Sequence, residues 1–317
     1  MQKHKSPQIP LVHALAWIVG SALMVSASAH LGIQYYFKEH QAVQYVIRTL
    51  IQTGPQKQAL KTEYLAQLLG LSADRPPLAS QFDLSQAKER LLACPLIADA
   101  HVKLIKPETL YVDYTVRKPV AWLLDYENVV LDRSGYLFPF RPFFSPKNLP
   151  EIYIGLGDFG IADVKTAATK QTKPIAQWNT PLTGEYMKLA LTLLNFLTDN
   201  HIQELFTLKR IDVSSAYSES YGTREIVVIV EDQLVVQKEG KEVNYFFPKI
   251  LRLSTKNYAA ELGNYLKLRE KLVEQELKGL IDQGFEVAQT HNPGRMTQVI
   301  RSPARVFDFR IPNLAFI

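Results

Sequence analysis

Two short motifs carry residue types that catalysis uses. Ser85-Gln86-Ala87-Lys88 fits S-x-x-K, in which a lysine one helical turn from a serine can take its hydroxyl proton. Penicillin-recognising enzymes use that chemistry, but they also need S-D-N-like and K-T-G-like elements, and the chain has neither. Ser85 therefore reads as a first-turn helix residue. Gly155-Leu156-Gly157-Asp158-Phe159-Gly160 fits G-x-G-x-x-G after the apolar Ile152-Tyr153-Ile154. A phosphate-cradling loop needs a helix N-terminus directly behind it, so that free N–H groups face the anion. Here the next residues are rich in Thr and Lys and are broken by Pro174, and no acid follows at ribose-holding distance. The seven histidines (His4, His13, His30, His40, His101, His201, His291) are scattered, with no H-E-x-x-H or close pair. Asp132, close to Gly135, is a turn former. Cys94 is the single cysteine, which excludes an intrachain disulfide and a multi-cysteine metal site. Its neighbours Leu91, Leu92 and Leu96 suggest a buried, inert thiol. Nothing assembles a nucleophile, a base and an oxyanion donor, so the expectation is a non-enzyme with no cofactor and no metal.

The elements that would hold any site come from charge and periodicity. The 317 residues suit two domains or one large one. With 47% hydrophobic and 21% charged residues, the chain is too apolar for disorder and too polar for a multi-pass membrane protein. Its net charge of +5 is unevenly placed, because no Asp, Glu, Lys or Arg stands between Lys5 and Lys38. Lys3 and Lys5 precede that gap, and the remainder is nearly neutral with no dense basic block. This argues against a nucleic-acid partner.

Residues 9–33 are apolar or weakly polar throughout, and at ~1.5 Å per residue they span a bilayer core of ~30 Å. Tyr35, Tyr36 and Phe37 fit an aromatic belt at the far end. A cleaved signal peptide is the rival reading, since Ala27-Ser28-Ala29 matches a small-x-small cleavage pattern. The anchor is favoured because the apolar run continues to Ile33 and an aromatic cluster follows it. The basic residues in 1–8 put the N-terminus in the cytoplasm by the positive-inside rule, leaving 38–317 exported.

Beyond the anchor, alternation predicts a strand over 43–51, and helical spacing predicts helices over 61–71 and from Asp83 to Pro95. Ala98, Ala100, Val102 and Leu104 alternate with polar residues, as do Leu110, Val112, Tyr114 and Val116, which predicts an antiparallel hairpin. The order strand-helix-helix-strand-strand over 43–119 is a small α+β domain. Residues 120–317 form a β-rich unit with short strands at Trp122–Leu124, Val129–Leu131 and Tyr136–Phe138. A loop over 157–181, helices over 183–197 and 258–280, and strands at Leu208–Val213, Glu225–Val230, Leu234–Val236 and Tyr245–Phe247 follow. A last strand runs from Arg305 to Arg310.

This series resembles the FtsQ/DivIB family of bacterial cell-division proteins: a short basic tail, one membrane helix, a POTRA domain of β-α-α-β-β order, then a β domain. Pro95, Ile97, Ala100, Val102, Pro107, Leu110, Val112 and Pro119-Val120-Ala121 are similar to the family's run through the POTRA hairpin. Val130 to Phe138 resembles its aspartate-turn-glycine-aromatic hairpin, Leu149-Pro150 with Gly155 the step that follows, and Val306 to Arg310 with Ala315 its terminal strand. Val116 stands where the family has a glutamate, 157–181 looks like an insertion, and 214–257 matches poorly. The resemblance implies a single-pass inner-membrane protein at the division site. Its role would be to recruit FtsB/FtsL-type partners and link early to late division proteins, with further division proteins met by the POTRA domain. If Arg305, Val306, Phe307, Asp308, Phe309 and Arg310 lie at a sheet edge, their backbone could pair with a partner strand. An outer-membrane transport or assembly protein with a POTRA domain is a rival, but it needs many strands of barrel length. An exported penicillin-recognising enzyme acting through Ser85 is another.

Overall fold

The computed structural model describes residues 11–39, 45–54, 60–105, 108–155, 178–287 and 298–311, and within the first helix the side chains of 15–36. That helix, α1 (Leu11–Glu39), is longer than the expected 9–33 segment. Its stretch Leu15–Tyr36 is long and apolar enough to cross a membrane, and none of it is buried by the rest of the chain.

A first sheet follows. The elements are β1 (Thr49–Thr53), α2 (Thr62–Leu69), α3 (Leu84–Leu92), β2 (Ile97–Ile105) and β3 (Thr109–Val116). The strand order is β1-β3-β2, with β1 parallel and β2 antiparallel to β3. Gly70 ends α2 in the left-handed region, where a side chain would be strained. Asp83 caps α3 by accepting from the N–H groups of Ser85 and Gln86. The first strand starts later than expected. Only an isolated bridge from Val46 to Leu78 lies upstream of it, and 43–44 fall outside the described residues. In β2 the expected inward residue Ala98 is exposed. A bulge between Ile97 and Asp99 shifts the register there, so Ile97 is buried instead.

The larger sheet is mixed, with the order β12-β10-β9-β8-β7-β4-β5-β6. Its short strands are β4 (Ala121–Leu123), β5 (Val129–Leu131), β6 (Leu137–Pro139) and β7 (Glu151–Tyr153). Helix α4 (Glu185–Asp199) leads to β8 (Thr207–Asp212). Next come β9 (Ile226–Lys238), β10 (Lys241–Leu253) and α5 (Tyr258–Asp282). The last strands are β11 (Glu286–Val287), β12 (Gln298–Arg301) and β13 (Arg305–Asp308). Helices α4 and α5 cover one face, where Met187, Leu194, Ile211, Val228, Tyr265 and Phe307 belong to one core.

Three expected fragments, 225–230, 234–236 and 245–247, are parts of one hairpin. Strands β9 and β10 pair over 13 residues each, from Ile226↔Leu253 to Lys238↔Lys241. Glu239 and Gly240 turn it with positive φ at both positions, as a two-residue type I′ connection requires. The loop expected over 157–181 lies mostly outside the described residues, but its end is built into the body. Pro181 bridges Tyr136, and the Asn179 side chain donates to the Ala93 carbonyl at 2.7 Å.

Candidate functional site

The terminal strand residues lie at the outer edge of the larger sheet. Strand β10 has two parallel neighbours in series: β12 against Val243–Phe246 and β13 against Lys249–Arg252. Neither is paired on its other side among the described residues. The amides of Ser302 and Phe309 donate to the carbonyls of Phe246 and Arg252, so even-numbered residues of β10 present their backbone to this edge. Alternation then turns the backbone of Phe307 inward and those of Val306 and Asp308 outward.

The side chains divide by face. Phe307, with 0% exposure, and Phe309 fill the core under α5, where Phe309 and Tyr265 meet edge to face at 6.3 Å between centroids. Arg305 reaches Glu276 of α5 at 2.9 Å. Val306 stands on the opposite face, 45% exposed. Asp308 and Arg310 form a bidentate pair, with Arg310 Nη2 at 2.7 Å from Asp308 Oδ2. Arg252 approaches the same carboxylate at 3.3 Å, and Arg310 also donates to the Gly222 carbonyl at 2.8 Å. Arg310 holds the Asp308 carboxyl below the usual aspartate range, against the opposing effect of burial. These ties leave β13 a firm edge with polar backbone groups pointing out.

Sequence reasoning singled out β13 and missed β12, whose Val299 is 64% exposed. The signal was Val299-Ile300 between Gln298 and Arg301, too short a run to stand out. A cleft of about 540 Å³ lies where β13 ends, lined by Tyr221, Arg224, Lys256 and Arg310 among others.

Among the described residues, those considered for chemistry are not brought together. Ser85 is exposed on the first turn of α3, and its amide is engaged by Asp83. Asp132 accepts from the amides of Ser134 and Tyr136 and pairs with Arg117 at 2.9 Å. Gly155 adopts φ +79°, while the rest of the glycine motif lies outside the described residues. His101 lies 3.4 Å from Asp99, and His201 lies 2.8 Å from Glu204. His30 meets Gln34 at 3.1 Å on α1, and the other histidine side chains lie outside the description. Cys94 is buried as expected, with the Tyr64 hydroxyl at 3.5 Å, and burial pushes that phenol up to about 12.

The Asp125 carboxylate has a setting that disfavours its charge. Burial raises its pKa despite the Ile154 amide at 3.0 Å, and its Oδ1 has no hydrogen-bond partner among the described residues. The nearby Asp212 carboxylate adds to the rise, and the Ser214 hydroxyl donates to Asp212 at 2.6 Å.

No family model matches the chain, and no curated protein matches it either.

Proposed function

We propose that the chain is a non-catalytic scaffold of the FtsQ/DivIB kind, tethered by α1 and recruiting division partners outside the membrane. The observation that carries this reading is the series itself. An unburied apolar helix precedes a β-α-α-β-β unit with a β1-β3-β2 sheet, and a larger mixed sheet follows that ends in an open parallel edge. The smaller unit takes the place of a POTRA domain, and the positive-inside rule places it in the periplasm. Capture works by strand addition: a partner of FtsB or FtsL type lays an extended segment along β13, and backbone pairing supplies the affinity. The tether raises the partner's effective concentration, so binding needs no turnover.

The test is capture of candidate division proteins by the full chain in membranes, with site-specific cross-linking at Val306. Deleting 304–317 would be an unclean probe, because it removes Phe307 and Phe309 from the core. Val306→Pro deletes only an outward amide. It should abolish capture while Val306→Thr preserves it. Capture unchanged by the proline would refute the strand site. Covalent labelling at Ser85 by a labelled β-lactam would instead favour the enzyme reading.

A further inference from the structure

The edge is supported by two cores with charge between them. Strand β12 rests on the outer one, where Ile300 packs with Val236, Val243, Phe247, Leu280 and Phe285. Strand β13 rests on the main core through Phe307 and Phe309. Between the cores lie Asp232 and Lys249, 2% and 3% exposed and ion-paired. Arg269 of α5 adds its Nε at 2.8 Å from Asp232. On the other face, at the same level, Glu231 lies 3.0 Å from Lys209 and 2.9 Å from Arg301. The charged layer thus passes through the sheet.

The backbone is interrupted at the same level. Pro248, an even-numbered residue of β10, has no N–H to offer the edge, and it sits between the stretches paired to β12 and β13. Ser302-Pro303-Ala304 forms the break between those two strands. Strand β9 also changes neighbour, from β8 over 227–231 to β11 over 236–237. Buried ion pairs add little net stability beside apolar packing, so the layer joins the halves weakly. Cooperative opening units follow such boundaries.

We infer that the outer half of the hairpin, with β11, β12 and the last turns of α5, is a separate opening unit, so that the proposed docking edge has a firm half at β13 and a conditional half at β12. A partner strand long enough to pass the break would bind only when the outer unit is closed, and its binding would hold that unit closed. This last step rests on the strand-addition reading; the existence of the unit does not.

Hydrogen exchange on the full chain in nanodiscs, first without partner, tests the unit. The paired amides within 234–237, 243–246 and 298–301 should exchange about 10-fold or more faster than the paired amides within 226–230, 250–253 and 305–309. Ile226→Val, in the main core, should speed the second set and leave the first unchanged, because the inner half stays folded when the outer unit opens. Replacing the layer by Asp232→Leu, Lys249→Met and Arg269→Leu should draw the two sets towards one rate. Equal rates in the natural chain, or an Ile226→Val effect of equal size on both sets, would overturn the inference. With a captured partner present, protection spreading to 298–301 supports the coupled edge. Protection confined to 305–309 overturns the coupling while leaving the separate unit standing. A rate gradient with no capture at all defeats the recruitment reading alone.

Discussion

At the scale of single residues, buried charges join separate segments of the chain. Arg117 leaves the first sheet and meets Asp132 of the second at 2.9 Å, while its guanidinium lies 3.8 Å over the Tyr136 ring. Its Nε also donates to the Pro95 carbonyl at 3.2 Å. Both side chains of the pair are largely buried, so Arg117→Ala leaves Asp132 without its counter-charge. The expected loss is about 3 kcal/mol, measurable by urea unfolding, and Arg117→Lys should recover only part of it because the stacked fork is lost. Asp308 supplies a pH test. Its folded pKa is depressed, chiefly by Arg310, so its stabilisation is present above the ordinary aspartate range and is lost as pH falls through the folded value. The protection of the Phe309 amide relative to its intrinsic exchange rate should therefore fall on acidification below about pH 4, and Asp308→Asn should remove that extra sensitivity. An unchanged acid response in the variant would assign the effect elsewhere.

At the scale of elements, the sequence was legible where one periodicity ran uninterrupted. The β2–β3 hairpin, α3 with its Asp83 cap, and α5 from Tyr258 all lie where spacing predicts them. The long hairpin shows in the sequence only as pieces because Glu231-Asp232-Gln233 interrupts the apolar run. Two of those three residues are in fact buried and paired, a tertiary fact that local pattern does not encode. Ala98 was misplaced for a related reason, since a bulge inverts the facing of one residue without changing the alternation downstream. As for the site, β13 could be found from its aromatic spacing, whereas β12 depends on a register that only the folded sheet defines. The hairpin turn offers a prediction at this scale. Glu239 holds φ +51°, a region that Asn tolerates better. Glu239→Asn should stabilise the chain by about 0.5 kcal/mol. The gain should appear as slower exchange at the paired amides within 234–237.

At the scale of the molecule, the two sheets share a hydrophobic core rather than a flexible joint. Val130, Phe138, Phe140 and Phe144 from the β-rich part pack with Leu65, Leu91 and Val116 of the first sheet in a single cluster. Phe140 stacks on Phe144 at 5.5 Å and tilts against Trp122 at 4.6 Å. A cut after residue 119 would pass through that core, removing Val130, Phe138, Phe140 and Phe144 from it and leaving α2 and α3 as the first sheet's only cover. Fragment 45–119 should accordingly bind a hydrophobic dye and lack a sharp thermal transition, and extension to 150 should restore one. The point variant Phe140→Ala removes most of a buried ring at the seam and should cost about 3–4 kcal/mol. Because the seam belongs to both sheets, that loss should lower the unfolding of both together, read from Trp122 fluorescence and from exchange at Val112 and Val228. Separate transitions in the variant, with the β-rich part unmoved, would mean that the aromatic cluster serves the first sheet alone. A joint transition fits one rigid body carrying both sheets, with α1, long and apolar enough to cross a membrane, left unburied by either.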